Sequence, residues 1–318
     1  MPKVSVVIPV YGVEKYIERC ARSLFEQTLD DMEFVFVDDC TKDNSMAVLK
    51  KVILDYPNRN NQIKIVRHEH NKGLSFARET GVKAAIGDYI GHCDSDDWVE
   101  KEMYETLYDY AQKGDYDFVK SGRINSDGTV VLSKEGVYSD DGKLDKKSVI
   151  KYLLLQKGWN SIWNTLVRRS IYESSQILYT EDAMLEDYFL TTQLILSSEK
   201  IGVVDRCFYY YYQNPTSISR MNNDASIINR SQQAERNING IINFIHHKYN
   251  DLYREEETAL MFIPRRILIP IMNNSKNYKS WNIITPGITM RILRSKYISL
   301  IDKMWYMSVV LRLRTILK

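Results

Sequence analysis

The first hundred residues alternate between short apolar runs and longer segments in which apolar residues recur at helical spacing. Residues 4–10 (VSVVIPV) form a nearly continuous β-branched run, which predicts a strand buried on both faces of a parallel sheet. Residues 14–27 carry one apolar stripe and predict a helix that packs against that sheet. The two patterns then recur, with strands predicted at 33–37, 63–66 and 88–93 and helices after Asp43 and over 75–86. This alternation with short connections predicts a doubly wound α/β sheet.

The pattern is less regular after residue 101. A helix is predicted over 102–112, and an apolar stretch at Phe118 leads into a polar region, 122–142, that forms either a hairpin or loops. Further along, the sequence predicts helices at 147–155 and 188–196 and a strand of aromatic residues at 208–212 (FYYYY). After Arg220 the chain is asparagine-rich and then helical, and we expect that helical region to be broken by Pro264, Pro270 and Pro286.

The composition is that of a folded soluble protein, with 44% hydrophobic and 26% charged residues in a chain of 318. A chain of this length suggests roughly two domains and buries a large core without disulfides. The four cysteines form no C-x-x-C pair, which argues against a zinc site or redox motif and favours a reducing compartment. The apolar stretches are shorter than a signal-peptide core or a spanning helix requires, so we expect a cytoplasmic protein.

Charge is unevenly distributed along the chain. The whole chain has 43 basic and 41 acidic side chains, a net charge of +2. Residues 288–318 contain seven bases and the acid Asp302, a net charge of +6 that leaves −4 for the rest. This basic segment is also rich in apolar and aromatic residues, which is typical of an amphipathic helix in the headgroup region of an anionic membrane. The alternative is a helix packed on its own core or in a homodimer interface, and no recognition motif for nucleic acid accompanies the charge.

Acidic residues cluster where the predicted strands end. The second strand is followed by Asp38 and Asp39, and the fourth by the sequence DSDD at 94–97. Ligands of open α/β sheets bind at the carboxyl ends of strands, and five carboxylates there repel one another unless a cation is present. Mg²⁺ or Mn²⁺ prefers such oxygen ligands and is usually also bound by substrate phosphates, so we expect a nucleoside diphosphate. Helix capping is the simpler alternative for Asp43.

Six segments carry a resemblance to a known family. They are VSVVIPVYGVEKYIERCARSLFEQT (4–28), FVFVDDCTKDNS (34–45), HNKGLSFARETGVKAAIGDYIGHCDSDDW (70–98), IWNTLVRRSIY (162–172), LEDYFL (185–190) and YYYYQNPTSISR (209–220). In this order they resemble the family 2 glycosyltransferases, which have the nucleotide-sugar-binding fold called GT-A. The resemblance covers roughly the first 220 residues.

The resemblance implies an α/β fold of the GT-A type, a Rossmann-like mixed sheet flanked by helices, with a mainly helical C-terminal extension. The expected units are a nucleotide-sugar-binding half at 1–100, an acceptor-binding half at 101–220 and the helical extension at 221–318. The implied activity is an inverting, metal-dependent transfer of a hexose from a nucleotide-sugar, with UDP favoured, to a hydroxyl of a saccharide or lipid-linked saccharide. The implied setting is surface polysaccharide synthesis in the cytoplasm, with peripheral contact to the inner face of the cytoplasmic membrane as an option.

The resemblance also assigns site residues. Binding of the nucleotide-sugar is assigned to Pro9, Tyr11, Glu14, Asp39, Asn71, Arg78, Asp94, Ser217, Ser219 and Arg220. Within this set, Asp39 is expected to bond the base or ribose, Arg78 to face the base and diphosphate, and 217–220 to close over the diphosphate. The loop after Asp39 reads CTKDNS where the family often has G-S-x-D-x-S, so we expect altered backbone geometry at Cys40.

The metal and the catalytic base are likewise implied by the resemblance. Asp94 and Asp96 form the family's D-x-D element, with Asp96 as the direct ligand of Mn²⁺ or Mg²⁺, while Asp97 either joins the site or orients the loop. The base that takes the acceptor's proton is expected in the pair Glu186-Asp187, at Asp187. The neighbouring pair at 181–182 is a rival, and both pairs can also be read as a solvated acidic helix start.

Two other functions are compatible with the same residues. A nucleotidyltransferase acting on sugar phosphates also holds metal and nucleotide on an α/β sheet, but it releases pyrophosphate. A non-catalytic nucleotide-sugar-binding subunit would tolerate loss of Asp187. Dehydrogenases and P-loop proteins are excluded at the motif level, because neither G-x-G-x-x-G nor G-x-x-x-x-G-K occurs.

Overall fold

The computed structural model describes residues 1–132, 146–154, 160–214, 223–249, 254–272, 277, 280–281 and 287–311. The strands in these ranges are β1 (Val4–Val10), β2 (Met32–Asp38), β3 (Ile63–Arg67), β4 (Tyr89–His92), β5 (Trp98–Val99), β6 (Phe118–Asn125), β7 (Val130–Val131), β8 (Thr165–Arg168) and β9 (Ile201–Tyr211). The helices are α1 (Ile17–Phe25), α2 (Ser45–Leu54), α3 (Leu74–Ala84), α4 (Met103–Gly114), α5 (Lys146–Leu154), α6 (Arg169–Ser174), α7 (Glu186–Ser197), α8 (Asp224–Tyr249), α9 (Arg254–Leu268), α10 (Thr289–Arg294) and α11 (Leu300–Val310).

The described strands form one mixed sheet in the order β3-β2-β1-β4-β8-β6-β9-β5, with β7 paired to β6. The first half is parallel, because β1 pairs in parallel with β2 and β4, and β2 with β3. The second half is mixed, since β8 is antiparallel to β4 and β6 whereas β9 is parallel to β6. The predicted α/β architecture, a mixed sheet flanked by helices with a helical C-terminal part, is therefore confirmed, and the doubly wound parallel pattern is limited to β1–β4.

Side-chain alternation along the strands gives the sheet two apolar faces. In β1, Val6 and Ile8 pack with α1, α2 and α4, whereas Val7 packs on the opposite face with α3, α5 and α7. Because both faces are covered, β1 and β2 are buried along their whole length, as the β-branched runs predict. Gly81 of α3 lies so close to β1 that a Cβ there would come within 2.3 Å of Val7 Cγ1. This close approach brings α3 against the sheet one turn after Arg78.

The C-terminal helices form a third apolar cluster that includes Phe262, Trp281 and Tyr306. The expected break at Pro264 is wrong, because Pro264 lies inside α9. A proline costs a helix one backbone hydrogen bond, and the burial of neighbours such as Ile263 and Leu268 offsets that loss. Pro270 does follow the end of α9, in a short 3-10 turn, while Pro286 lies outside the described residues. No helix in the described ranges is long and apolar enough to cross a membrane.

Candidate active site

The candidate site lies where β1, β2 and β4 end, and the parallel register brings those ends to one edge of the sheet. The loop after β4 carries Asp94, Asp96 and Asp97, and the loop after β2 carries Asp39. Two further acids, Glu186 and Asp187, lie in the first turn of α7. The strand-end argument therefore locates the 94–97 cluster correctly, and the structure adds α7 to the same edge.

One arginine connects the acids of the two segments. Arg78 is completely buried, and its Nη2 donates to Asp94 Oδ1 at 2.7 Å. Its Nη1 lies 2.6 Å from Asp187 Oδ1 and also donates to Glu186 Oε1. The resemblance assigns Arg78 to the base and diphosphate, but in this structure its terminal nitrogens contact three carboxylates of the protein. Arg78 thus joins the D-x-D loop to the expected catalytic base.

Burial and nearby negative charge raise the pKa of Asp94 and of Asp187. Burial raises the pKa of Asp94 to about 6, with Arg78 opposing the shift and the Asp187 and Asp96 charges adding to it. The pKa of Asp187 is raised well above its ordinary value by burial, against the attraction of Arg78, and the charge of Glu186 raises it further. Carboxylates whose pKa is raised towards neutrality are suited to accept a proton in a reaction at physiological pH.

We expect the metal-free protein to lose stability as pH rises from about 4 to about 6. Asp94 has a pKa of about 6 when folded against 3.8 as an unperturbed group, so the folded state binds more protons in this window and ionisation favours unfolding. Thermal denaturation with chelator at several pH values should show the fall, and Asp94→Asn should make it shallower. Asp109→Asn, an exposed change on α4, is the control. An unchanged pH slope in Asp94→Asn would contradict the assignment.

The loop that carries Asp96 is held from outside by Arg19 of α1. Arg19 Nη2 donates to the backbone carbonyl of Asp96 at 2.8 Å, and its guanidinium lies 3.7 Å from the ring centroid of Trp98. Asn214 Nδ2 donates to Asp96 Oδ2 at 3.1 Å. Burial raises the pKa of Asp96, while the Asn214 amide and the charge of Arg19 oppose the shift. Arg19 thus fixes the backbone at Asp96, and the donor to its carboxylate within the described part of the chain is the neutral Asn214.

Asp97 has a structural position. It is fully buried, and its Oδ2 and Oδ1 accept hydrogen bonds, both of 2.7 Å, from the Tyr209 hydroxyl and the Tyr212 amide. The Tyr209 hydroxyl in turn accepts a bond of 3.0 Å from the Asp94 amide. Of the two alternatives open for Asp97, its contacts favour orienting the loop, since they tie the D-x-D loop to the end of β9.

A divalent ion fits the carboxylates that remain. Asp94 and Asp96 offer hard oxygen donors on one loop, which suits Mg²⁺ or Mn²⁺. Across the described ranges, no group of three histidine, cysteine or acidic side chains is arranged to hold an ion. An ion held by one or two carboxylates and the phosphates of a donor needs no third protein ligand. The residues present therefore fit such an ion only together with a phosphate-bearing ligand.

Asp39 organises the neighbouring loop. It is buried, and its oxygens accept bonds from the backbone amides of Lys72 at 2.7 Å and Gly73 at 2.8 Å. His68 Nδ1 also lies 2.7 Å from Asp39 Oδ1. These contacts hold the start of α3 against the end of β2, so Asp39 fixes the loop that leads into α3. Cys40 follows with a φ of 58°, in the left-handed region that disfavours side chains, which fits the expected change in backbone geometry there.

The other residues that the resemblance assigns to the donor lie around the same rim. Tyr11 is 49% exposed, Pro9 is buried at the end of β1, and Asn71 is exposed. Glu14 Oε2 accepts hydrogen bonds from the amide and the side chain of Asn44, at 2.9 and 3.2 Å, which joins the loops after β1 and β2. Ser217, Ser219 and Arg220 lie outside the described residues.

The rival acidic pair has a different environment. Asp182 is buried and forms a bidentate ion pair with Arg236 of α8, in which Nε lies 2.8 Å from Oδ2. Two more α8 side chains hold the next residues, because Gln233 Oε1 accepts from the Met184 amide at 3.0 Å and Asn237 Nδ2 donates to the Met184 carbonyl at 2.8 Å. Asp182 therefore fixes the loop before α7. Asp187 instead faces Arg78, the same guanidinium that contacts Asp94.

One buried lysine near the site was not among the predicted site residues. Lys120 of β6 is 2% exposed, and its Nζ donates to Asn164 Oδ1 at 2.7 Å and to the Ser161 carbonyl at 2.8 Å. Burial lowers its pKa well below the ordinary value, with Arg123 adding to the shift and Asp187 opposing it. The sequence signal for it was a lysine that directly follows the apolar pair Phe118 and Val119, where a buried strand begins.

A family model described as glycosyl transferase family 2 matches residues 5–175. The chain belongs to this family. Glycosyltransferase EpsJ of Bacillus subtilis is 33% identical over 225 residues, which cover 70% of this chain and 64% of EpsJ, so the chain spans less than two thirds of that relative. Cholesterol galactosyltransferase of Borreliella burgdorferi is 26% identical over 317 residues, 95% of this chain and 83% of that protein. TarS of S. aureus in complex with UDP-GlcNAc superposes with a TM-score of 0.62 at 19% identity, covering 98% of this chain and 91% of the other, which shows the fold.

Proposed function

We propose that this member of glycosyl transferase family 2 is an inverting enzyme that moves a hexose from a UDP-sugar to a hydroxyl of a saccharide or lipid-linked saccharide. The observation that carries the proposal is the ion-paired cluster around Arg78. It places a carboxylate of the D-x-D loop and a carboxylate of α7 on one buried guanidinium. A donor held at the loop and an acceptor beside α7 would then meet at a single point.

Asp187 is the general base in this proposal. It takes the proton of the acceptor hydroxyl while the hydroxyl oxygen attacks the anomeric carbon on the face opposite the diphosphate. The new glycosidic bond forms as the bond from the anomeric carbon to the diphosphate oxygen breaks, and UDP leaves with that electron pair. Glu186 and Arg78 are positioning residues that hold the Asp187 carboxylate in place.

On the donor side, Asp96 and Asp94 would hold Mn²⁺ or Mg²⁺ together with the diphosphate. When bound, such an ion neutralises the charge that develops on the leaving diphosphate. Pro9, Tyr11, Glu14 and Asn71 line the nucleotide part of the site, and Asp39 holds the wall behind it. We assign 217–220, with Ser217, Ser219 and Arg220, to contacts with the diphosphate, because hydroxyls and a guanidinium suit phosphate oxygens.

The finer assignments have support of different kinds. UDP is favoured because a solved protein with the same fold, TarS, is described in complex with UDP-GlcNAc. A lipid or lipid-linked acceptor is favoured because cholesterol galactosyltransferase, whose name states a lipid acceptor, aligns with 95% of this chain, including its helical C-terminal part. We therefore propose work at the inner face of the cytoplasmic membrane, in surface polysaccharide synthesis, with 1–100 binding the donor, 101–220 the acceptor and 221–318 as the helical extension.

A donor screen tests the proposal. Thermal denaturation with UDP-, GDP-, CDP- and dTDP-sugars, with and without Mn²⁺, should show metal-dependent stabilisation by UDP-sugars, since a ligand of the folded state alone raises its stability. The stabilisation should disappear in Asp96→Ala and persist in Asp109→Ala. Analysis of the reaction products then separates the enzyme classes: UDP is expected, pyrophosphate would indicate a nucleotidyltransferase, and donor binding without turnover a binding subunit. Stabilisation by no donor would sink the proposal.

A further inference from the structure

Helix α11 presents an apolar face to solvent. Leu300, Ile301, Met304 and Trp305 are 73%, 68%, 65% and 46% exposed. At 3.6 residues per turn these four positions fall on one side of the helix. The polar Ser308, which is half-buried, lies on the same side one turn further along. Large apolar side chains that are exposed together, rather than singly, mark an interaction surface.

The opposite side of α11 is anchored in the protein. Tyr306 is 1% exposed, and its ring centroid lies 5.1 Å from that of Trp281 and 5.9 Å from that of Phe262. Its hydroxyl lies 2.9 Å from Thr289 Oγ1 in α10. Because α11 is packed through this side, its apolar face is presented by a folded element.

Basic residues accompany this face. Within 288–311 the chain has Arg291, Arg294, Lys296 and Lys303 against one acid, Asp302. Asp302 belongs to the helix cap, since its amide donates to Ser299 Oγ at 3.0 Å and the Ser299 hydroxyl lies 2.8 Å from Asp302 Oδ2. The sequence that follows adds three further bases, Arg312, Arg314 and Lys318. The segment is thus strongly positive on a body whose net charge is negative.

We propose that α11 docks the protein on an anionic lipid surface. Leu300, Ile301, Met304 and Trp305 enter the headgroup region, and the nearby bases Arg294, Lys296 and Lys303 contact lipid phosphates. Charge selects this occupant over a second copy of the chain, because two segments of net charge +6 repel each other whereas an anionic surface attracts both. The proposal deepens the proposed action on a lipid-linked acceptor, but it rests on the exposed face of α11 and the basic charge around it and does not depend on the transfer chemistry.

Vesicle pelleting with the full chain tests the docking. We expect binding to vesicles of phosphatidylglycerol and phosphatidylcholine, weakened by salt, and little binding to phosphatidylcholine alone. The triple variant Ile301→Ser/Met304→Ser/Trp305→Ser should bind the anionic vesicles at least about tenfold more weakly. The matched control is Leu54→Ser/Ile86→Ser/Leu178→Ser, which removes three exposed apolar side chains elsewhere and should bind like the parent protein.

Each contrary result has a definite meaning. No binding of the parent protein to anionic vesicles, equal binding to neutral ones, or unchanged binding of the α11 variant would overturn the proposal. A dimer in solution that the α11 variant converts to monomers, without vesicle binding, would show a second copy on this face and overturn it too. Thermal stabilisation by donor and Mn²⁺ should be the same in all three proteins, so a failed donor site and a failed lipid surface give different results.

Discussion

Asp187→Asn should lower the rate of sugar transfer by about a thousandfold while changing donor affinity little. Asparagine has nearly the same volume and keeps the packing at the start of α7, but it cannot take the acceptor's proton. Arg78 retains Asp94 and Glu186 as partners, so the D-x-D loop should keep its position. Single-turnover kinetics with a saturating acceptor would measure the chemical step, and calorimetric titration with UDP and Mn²⁺ the affinity.

Asp182→Asn is the matched control for the base. Its carboxylate is paired with Arg236, so this change should lower the free energy of unfolding and leave the chemical step of the folded fraction nearly unchanged. The reverse result, in which Asp182→Asn loses transfer with its fold intact and Asp187→Asn retains it, would move the base to Asp182.

Arg78→Met should cost about 3 to 5 kcal/mol of folding free energy near neutral pH, because it leaves the carboxylates of Asp94, Glu186 and Asp187 without their shared cation. The loss should shrink as pH falls towards about 5, since burial already raises the pKa of Asp94 and Asp187 and protonation relieves their repulsion. Urea denaturation at several pH values would measure both effects.

Arg22→Met provides the comparison for Arg78. Arg22 also contacts two carboxylates, Glu18 and Asp55, but all three side chains are more than a third exposed. Its removal should lower the free energy of unfolding far less than removal of Arg78, as is usual for surface ion pairs. Equal losses in Arg78→Met and Arg22→Met would show that the buried cluster is not held together by its arginine.

The parallel half of the sheet could be predicted from sequence, because β1 and β2 are covered on both faces and read as continuous apolar runs. β8 was not predicted, since four residues between Asn164 and Arg169 carry no recognisable period. The sequence predicts a strand only over the aromatic residues 208–212, whereas β9 begins at Ile201. Its first part was missed because exposed Asp205 and Arg206 interrupt the apolar pattern, at the point where the pairing with β6 shifts register.

The candidate site likewise has a part that the sequence predicts and a part that it does not. The strand-end argument places the 94–97 acids, because parallel register is a local consequence of the fold. The contact between Arg78 and Glu186 joins residues 108 positions apart, and no local pattern records such a pairing. Lys120 was missed for a similar reason, since its partners Ser161 and Asn164 come from a distant loop.

Side chains of α8 contact the 182–184 loop, and these contacts limit where the chain can be cut into fragments. The family model ends at residue 175, before Asp187, and the expected domain boundary at 220 lies before Arg236, Gln233 and Asn237. A fragment cut at that boundary would lose Arg236 as the partner of Asp182 and release the segment that leads into α7. Chimaeras that exchange acceptor preference between relatives therefore need to carry α8 with the catalytic half, because α8 side chains hold the loop that leads into α7.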